Sequence, residues 1–169
     1  QRFVEARDFL KSRIVIKESL HTMHKADKGI IRALGADGGG TDGFFPSAVI
    51  FDEQHEWKTR AHLKLWAKLR TGSAARPQPL FITITTAGDD QSKLWQNARA
   101  YAVKVLNGEA HDDTLFVLIL CIDDEDDIFD PTCWPKANPH LGTTVKWSAY
   151  QDLAAKAQQN PADARDFER

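Results

Sequence analysis

Ser47-Ala48-Val49-Ile50-Phe51-Asp52-Glu53 and, further along, Leu80-Phe81-Ile82-Thr83-Ile84-Thr85-Thr86 are two short apolar runs that each stop at a polar tip. Runs this short, rich in β-branched and aromatic residues, read as buried strands. Between them, Lys58 to Arg70 carries Leu63, Trp66 and Leu69 at helical spacing, with Gly72 beyond its expected end. After the second run, Asp90 to Asn107 has a helical stripe of Leu94, Trp95, Ala98, Tyr101, Ala102, Val105 and Leu106, with Gly108 as its stop. Leu115 to Ile122 reads as a third strand. Strong strands alternating with amphipathic helices predict an α/β fold, with a mainly parallel sheet flanked by helices. Ligands of such sheets bind beyond the carboxyl ends of the strands. That is where Asp52-Glu53 and Thr85-Thr86 lie.

Outward from this centre the reading is plainer. Residues 2–12 predict a helix, Ile14 to His24 and Ile30 to Leu34 an edge hairpin turning at Ala26 to Gly29, and Gly35 to Gly43, with five glycines, a flexible loop. Asp123 to Asp130 reads as a solvated acidic loop, Pro131 to Pro139 as irregular, and Ser148 to Gln159 as a helix capped by Ser148.

The 169 residues, 42% of them apolar and 27% charged, suit one globular domain and exclude collagen-like, low-complexity and wholly disordered chains. No apolar run approaches the roughly 20 residues needed to span a bilayer, and no charged-then-apolar leader opens the chain. The first residue is Gln1, so a piece of a longer protein is expected. Cys121 and Cys133 lack metal-ligand spacing and read as free thiols in a reducing compartment. The net charge of −2 hides alternating blocks: +4 over residues 1–36, −5 over 37–57, +7 over 58–108 and −9 over 109–130. A basic block can face a polyanion, although a solvated helix face is the ordinary explanation.

Two carboxylates ending an apolar strand are costly unless they have a task. In nucleotide-hydrolysing folds the first anchors a magnesium ion and the second orients and deprotonates water. Asp52 and Glu53 can fill those places; alternatively Asp52 caps the next helix and Glu53 is solvated. The tip Thr85-Thr86 suits a γ-phosphate sensor, or is merely a turn. Arg76, in the loop Thr71 to Pro77, could act as an arginine finger in cis or in trans, or be solvated. No G-x-x-x-x-G-K-[ST] occurs, and the Gly38-Gly39-Gly40 loop lacks the lysine, so a phosphate loop would have to lie upstream of Gln1. His55 and His62 match no zinc spacing, and His21 and His24 point to opposite faces of the expected strand.

Asp42 to His55 followed by Lys58-Thr59-Arg60 resembles the Walker B region of phage large terminase subunits. Gln78 to Gly88 is similar to their coupling motif, and Lys136-Ala137-Asn138-Pro139-His140-Leu141-Gly142 to a Lys-Ala-Asn-Pro-Asn-Leu-Gly signature, with His140 departing from it. The resemblance runs in order from about Ala33 to Arg169. It implies a P-loop NTPase of the additional-strand type, with residues 1–169 as part of the N-terminal ATPase domain. The Walker A segment and the C-terminal nuclease domain would then lie outside the chain. It makes Asp52 the magnesium acid, Glu53 the catalytic glutamate, Thr85-Thr86-Ala87 the coupling motif and Arg76 the loop arginine. ATP and Mg2+ are the implied cofactors. Double-stranded DNA, the small terminase subunit, the portal protein and further copies of the same chain are the implied partners, with no membrane. The implied setting is the cytoplasm of a bacterial host. The parent protein would package viral DNA and cut it; the chain alone is expected to do neither. Two alternatives stand beside this. Asp52-Glu53-Gln54-His55 spells a DExH helicase box, although such helicases carry Ser-Ala-Thr where this chain has Thr85-Thr86-Ala87. A non-catalytic, terminase-derived assembly module is the other.

Overall fold

The computed structural model describes residues 2–25, 28–35 and 43–167. Ala26 and Asp27 of the expected Ala26 to Gly29 turn, and residues 36–42 of the expected Gly35 to Gly43 loop, including Gly38-Gly39-Gly40 and Asp42, lie outside the described residues. Contacts divide the chain into two compact units, residues 1–49 with 59–80 and residues 50–58 with 81–169.

In the first unit, the expected N-terminal helix is two single turns, Arg2–Glu5 (α1) and Asp8–Lys11 (α2). Arg7 between them is extended, with φ −133° and ψ 110°, and interrupts the helical ladder. Ile14–Lys17 (β1), Thr22–Lys25 (β2) and Ile30–Arg32 (β3) form an antiparallel sheet in that order. Its register pairs Ile16 with Met23 and Met23 with Ile31. The strand expected from Ile14 to His24 is therefore broken. A 3-10 turn over Glu18–Leu20 and a left-handed His21, φ 48°, reverse the chain and convert the expected hairpin into a three-stranded meander. His21 sits in that turn rather than on a strand face.

Arg60–Ser73 (α3) also belongs to this unit. Thr59 caps it: the His62 N–H donates to the Thr59 hydroxyl and the Thr59 N–H donates to the His62 ring, satisfying two donors that would otherwise be orphaned. The helix runs through Gly72 rather than stopping before it. A side chain at position 72 would collide with the Phe44 carbonyl, so glycine serves a close approach here, not a helix end. Leu65, Leu69 and Ser73 form its buried face, and Leu63 is exposed.

Ala48–Asp52 (β4) and Leu80–Ile84 (β5) pair as a two-stranded sheet. The Leu80 N–H donates to the Ser47 carbonyl at the start of both strands, and the His55 N–H donates to the Thr85 hydroxyl just past their ends. Like ends meet like ends, so the pair is parallel, with α3 in the crossover, as the alternating pattern requires.

In the second unit Phe51, 1% exposed, packs its ring edge-on to Trp57 and stacked over Phe81, at centroid distances of 5.1 and 6.2 Å. Lys93–Leu106 (α4) follows β5. The third expected strand, 115–122, makes no ladder among the described residues. Its side chains still alternate, with Phe116, Leu118 and Leu120 exposed and Val117 and Ile119 half-buried: a strand's period without a partner.

The rest of this unit is an aromatic cluster. Trp134–Ala137 (α5), Trp147–Gln159 (α6) and Pro161–Phe167 (α7) gather Trp134, Tyr150, Phe129 and Phe167 around Cys133 and Ala154. The Lys136–Gly142 signature holds this cluster in place. Lys136 bridges Asp123 and Asp126 at 2.6 and 2.7 Å, and Asn138 donates to the Tyr150 hydroxyl at 2.7 Å. The acidic loop is thus latched by Lys136 rather than merely solvated. Ser148 lies inside α6, whose flanking residue is Lys146, and it provides no side-chain cap. No helix among the described residues is long and apolar enough to cross a membrane.

Candidate active site at the strand ends

Asp52 is the last residue of β4, and its carbonyl accepts the Trp57 indole N–H at 3.3 Å. The Asp52 side chain is exposed. Glu53 follows in the left-handed region, φ 50° and ψ 53°. A non-glycine residue held there costs on the order of 1 kcal/mol or more, and such strain collects at functional sites. This backbone bend ends the strand and starts a 3-10 turn over Gln54–Glu56. Gln54 is buried there, 2% exposed, and its amide nitrogen has no hydrogen-bond partner among the described residues.

The turn brings His55 under the tip of β5. Its N–H donates to Thr85 Oγ1 at 3.1 Å, and its ring Nδ1 lies 3.1 Å from the same oxygen and 3.4 Å from Thr86 Oγ1. The same Nδ1 is 3.2 Å from Glu53 Oε2, while Nε2 is 3.3 Å from Glu56 Oε1. The Thr85 hydroxyl donates to the Thr86 carbonyl at 2.9 Å. Glu53, Thr85 and Thr86 are therefore brought together, and His55 is what joins them. Nothing in the zinc spacings pointed to His55; the signal was its place two residues after Glu53 in a turn too short to carry it away.

A second layer fixes His55. The Ser92 hydroxyl, at the start of α4, donates to the His55 carbonyl at 2.7 Å. Ser92 is also 3.0 Å from Asp89 Oδ1, and Asp89 takes the Lys58 ammonium at 2.9 Å. The hydrogen bond from Lys58 holds the Asp89 carboxyl down from 3.8 to about 2, helped by Ser92 and the Gln91 N–H and opposed by burial. Gly88 completes the packing: a Cβ there would stand 2.9 Å from both Ser92 Oγ and Trp95 Cδ2.

Arg76 belongs to the first unit, where its Nε donates to the Phe45 carbonyl at 2.8 Å. Among the described residues no group of three or more His, Cys, Asp or Glu could hold a metal ion. The carboxylate and hydroxyl oxygens at the strand ends suit magnesium, which takes one or two carboxylates and completes its shell with phosphate and water.

Residues 4–104 match the family model described as the terminase large subunit, ATPase domain, and residues 109–169 match that of its endonuclease domain. Protein YmfN of Escherichia coli (strain K12) is 37% identical over 118 residues, covering 70% of this chain and 24% of that protein. The crystal structure of the HK97 bacteriophage large terminase superposes with a TM-score of 0.83 at 22% identity, over 99% of this chain and 34% of that one. The chain thus spans about a quarter to a third of these relatives. The family match favours a terminase over a helicase, and by it this chain belongs to the terminase large subunit family.

Proposed function

We propose that the chain is part of an ATP-driven motor that moves viral double-stranded DNA into a prohead, within a parent protein that also cuts DNA. Residues 1–169 are read as the later part of an N-terminal ATPase domain of the additional-strand type, with the ATPase description matching residues 4–104 and the endonuclease description residues 109–169 of the same chain. Glu53 is the general base, taking a proton from water as its oxygen attacks the γ-phosphorus and the bond to ADP breaks. Asp52 would hold magnesium, which when bound neutralises phosphate charge. Thr85 and Thr86 face the phosphate end and report hydrolysis. Arg76 is read as an arginine finger, acting in cis or in trans. The observation that supports this reading best is the meeting of the Glu53 carboxylate with the Thr85 and Thr86 hydroxyls around His55.

Partners follow from the same reading: the small terminase subunit, the portal protein, further copies of the chain during packaging, and duplex DNA, in the cytoplasm of the bacterial host. The +7 block over 58–108 is proposed to contribute phosphate contacts. Its binding would weaken steeply with salt, and salt-independent affinity would refute it.

The deciding experiment uses the full-length parent. Glu53→Gln keeps nucleotide binding while hydrolysis falls by roughly two to four orders of magnitude. Asp52→Asn weakens magnesium-dependent nucleotide binding itself, and Thr86→Val uncouples hydrolysis from DNA movement. Packaging by Glu53→Gln at the wild-type rate would refute the site.

A further inference from the structure

We propose that His55 is a positioning residue that ties the Glu53 carboxylate to the hydroxyls at the end of β5, so that a change at Thr85 or Thr86 is felt at Glu53. The inference rests on the reading of Glu53 as the general base.

Three oxygens converge on one ring nitrogen: Glu53 Oε2 at 3.2 Å, Thr85 Oγ1 at 3.1 Å and Thr86 Oγ1 at 3.4 Å. An imidazole nitrogen carries one hydrogen or one lone pair, so these oxygens compete for it. Thr85 spends its only hydrogen on the Thr86 carbonyl, which leaves its oxygen to accept from His55. A hydrogen on Nδ1 is then shared between Thr85 and Glu53. Any turn of the Thr85–Thr86 tip that withdraws the hydroxyl hands this hydrogen to Glu53, and the reverse turn takes it away.

The rest of the residue is built to hold still while that exchange happens. The His55 N–H is bound to Thr85, its carbonyl to Ser92, and its Nε2 lies beside Glu56. The His55 side chain is 17% exposed, whereas that of Glu53 is 57% exposed. An exposed carboxylate on a bent backbone does not aim itself; the anchored ring beside it can.

The test compares His55→Ala, His55→Asn and Glu53→Gln in the full-length parent, singly and with His55→Ala and Glu53→Gln combined. Asparagine offers an amide N–H near the place of Nδ1. His55→Ala is expected to lower kcat for ATP hydrolysis by about ten- to a hundredfold with KM changed less than about threefold, the signature of a misplaced group rather than lost binding. His55→Asn should restore the rate to within about fivefold of wild type, and His55→Ala should cost less than about twofold more once Glu53 is Gln. In the nucleotide-free protein, the 15N shift of the His55 ring should move on Glu53→Gln and on Thr85→Val. A wild-type kcat in His55→Ala beside an inactive Glu53→Gln would overturn the role of His55 and leave the base assignment standing. A ring shift indifferent to both neighbours, or Asn no better than Ala, would also overturn it. Full hydrolysis by Glu53→Gln would overturn the base assignment, and this proposal with it.

Discussion

Replacing Ser92 by alanine removes one buried oxygen from the layer beneath His55. Ser92 is 1% exposed. Its hydroxyl donates to the His55 carbonyl at 2.7 Å, lies 3.0 Å from Asp89 Oδ1 and accepts the Asp89 N–H at 3.3 Å. The hydroxyl has one hydrogen, so at most one donated and one accepted bond are lost together. A net hydrogen bond contributes about 1 kcal/mol, and a buried carbonyl left without its donor costs about 1–3 kcal/mol. The Asp89 carboxylate keeps Lys58 and the Gln91 N–H, so the loss falls on the His55 carbonyl and the Asp89 N–H. The expected destabilisation is therefore about 2 kcal/mol, a large share of the 5–15 kcal/mol typical of a folded domain. Urea unfolding should show a lower midpoint at an unchanged slope. ATP hydrolysis by the full-length protein should fall by about tenfold, because His55 loses the tether on its carbonyl. Ser148→Ala is the matched control. Ser148 is exposed and caps nothing, so its loss should stay within about 0.5 kcal/mol. A Ser92→Ala protein as stable and as active as wild type would refute the view that Ser92 holds His55 in place.

Other perturbations probe the same region and its neighbours. Gly88→Ala places a methyl 2.9 Å from Ser92 and Trp95, and overpacking of this kind should lower stability by about 1–3 kcal/mol; an unchanged urea midpoint would show that the loop yields freely. The Asp89 carboxyl is lowered to about 2 in the folded protein, so its stabilisation is complete above the unfolded value near 4 and is lost as pH falls toward 2. Asp89→Asn should flatten the pH dependence of stability in that window, and a wild-type acid profile in the variant would contradict the pairing with Lys58. Cys133 is buried, and burial, with Asp126 and Asp130 nearby, pushes its thiol up, whereas Cys121 is exposed. Iodoacetamide should therefore label Cys121 at least about tenfold faster under native conditions, as read by mass spectrometry. Equal labelling would show that the aromatic cluster opens readily.

Residue pattern by itself determined the strands β4 and β5, the helices α3 and α4, and the carboxyl-end location of Asp52, Glu53, Thr85 and Thr86. These features are local: a run of β-branched and aromatic residues must extend, a 3.6-residue stripe must coil, and a polar tip marks where the strand leaves the core. Family likeness was equally legible, because it rests on contiguous motifs. Tertiary structure decided what depends on partners distant in the chain. The stretch 115–122 has a strand's alternation and no ladder, since pairing belongs to two strands and periodicity to one. The left-handed His21 broke an expected strand, and Gly72 lies inside α3 because the Phe44 carbonyl approaches it, not because the helix ends there. His55 and Ser92 are separated by 37 positions, and no spacing rule links them. Their bond exists because the bend at Glu53 turns the chain back under β5 just where α4 begins. That bond holds His55 in place, and the His55 ring joins the carboxylate at the end of one strand to the hydroxyls at the end of the other.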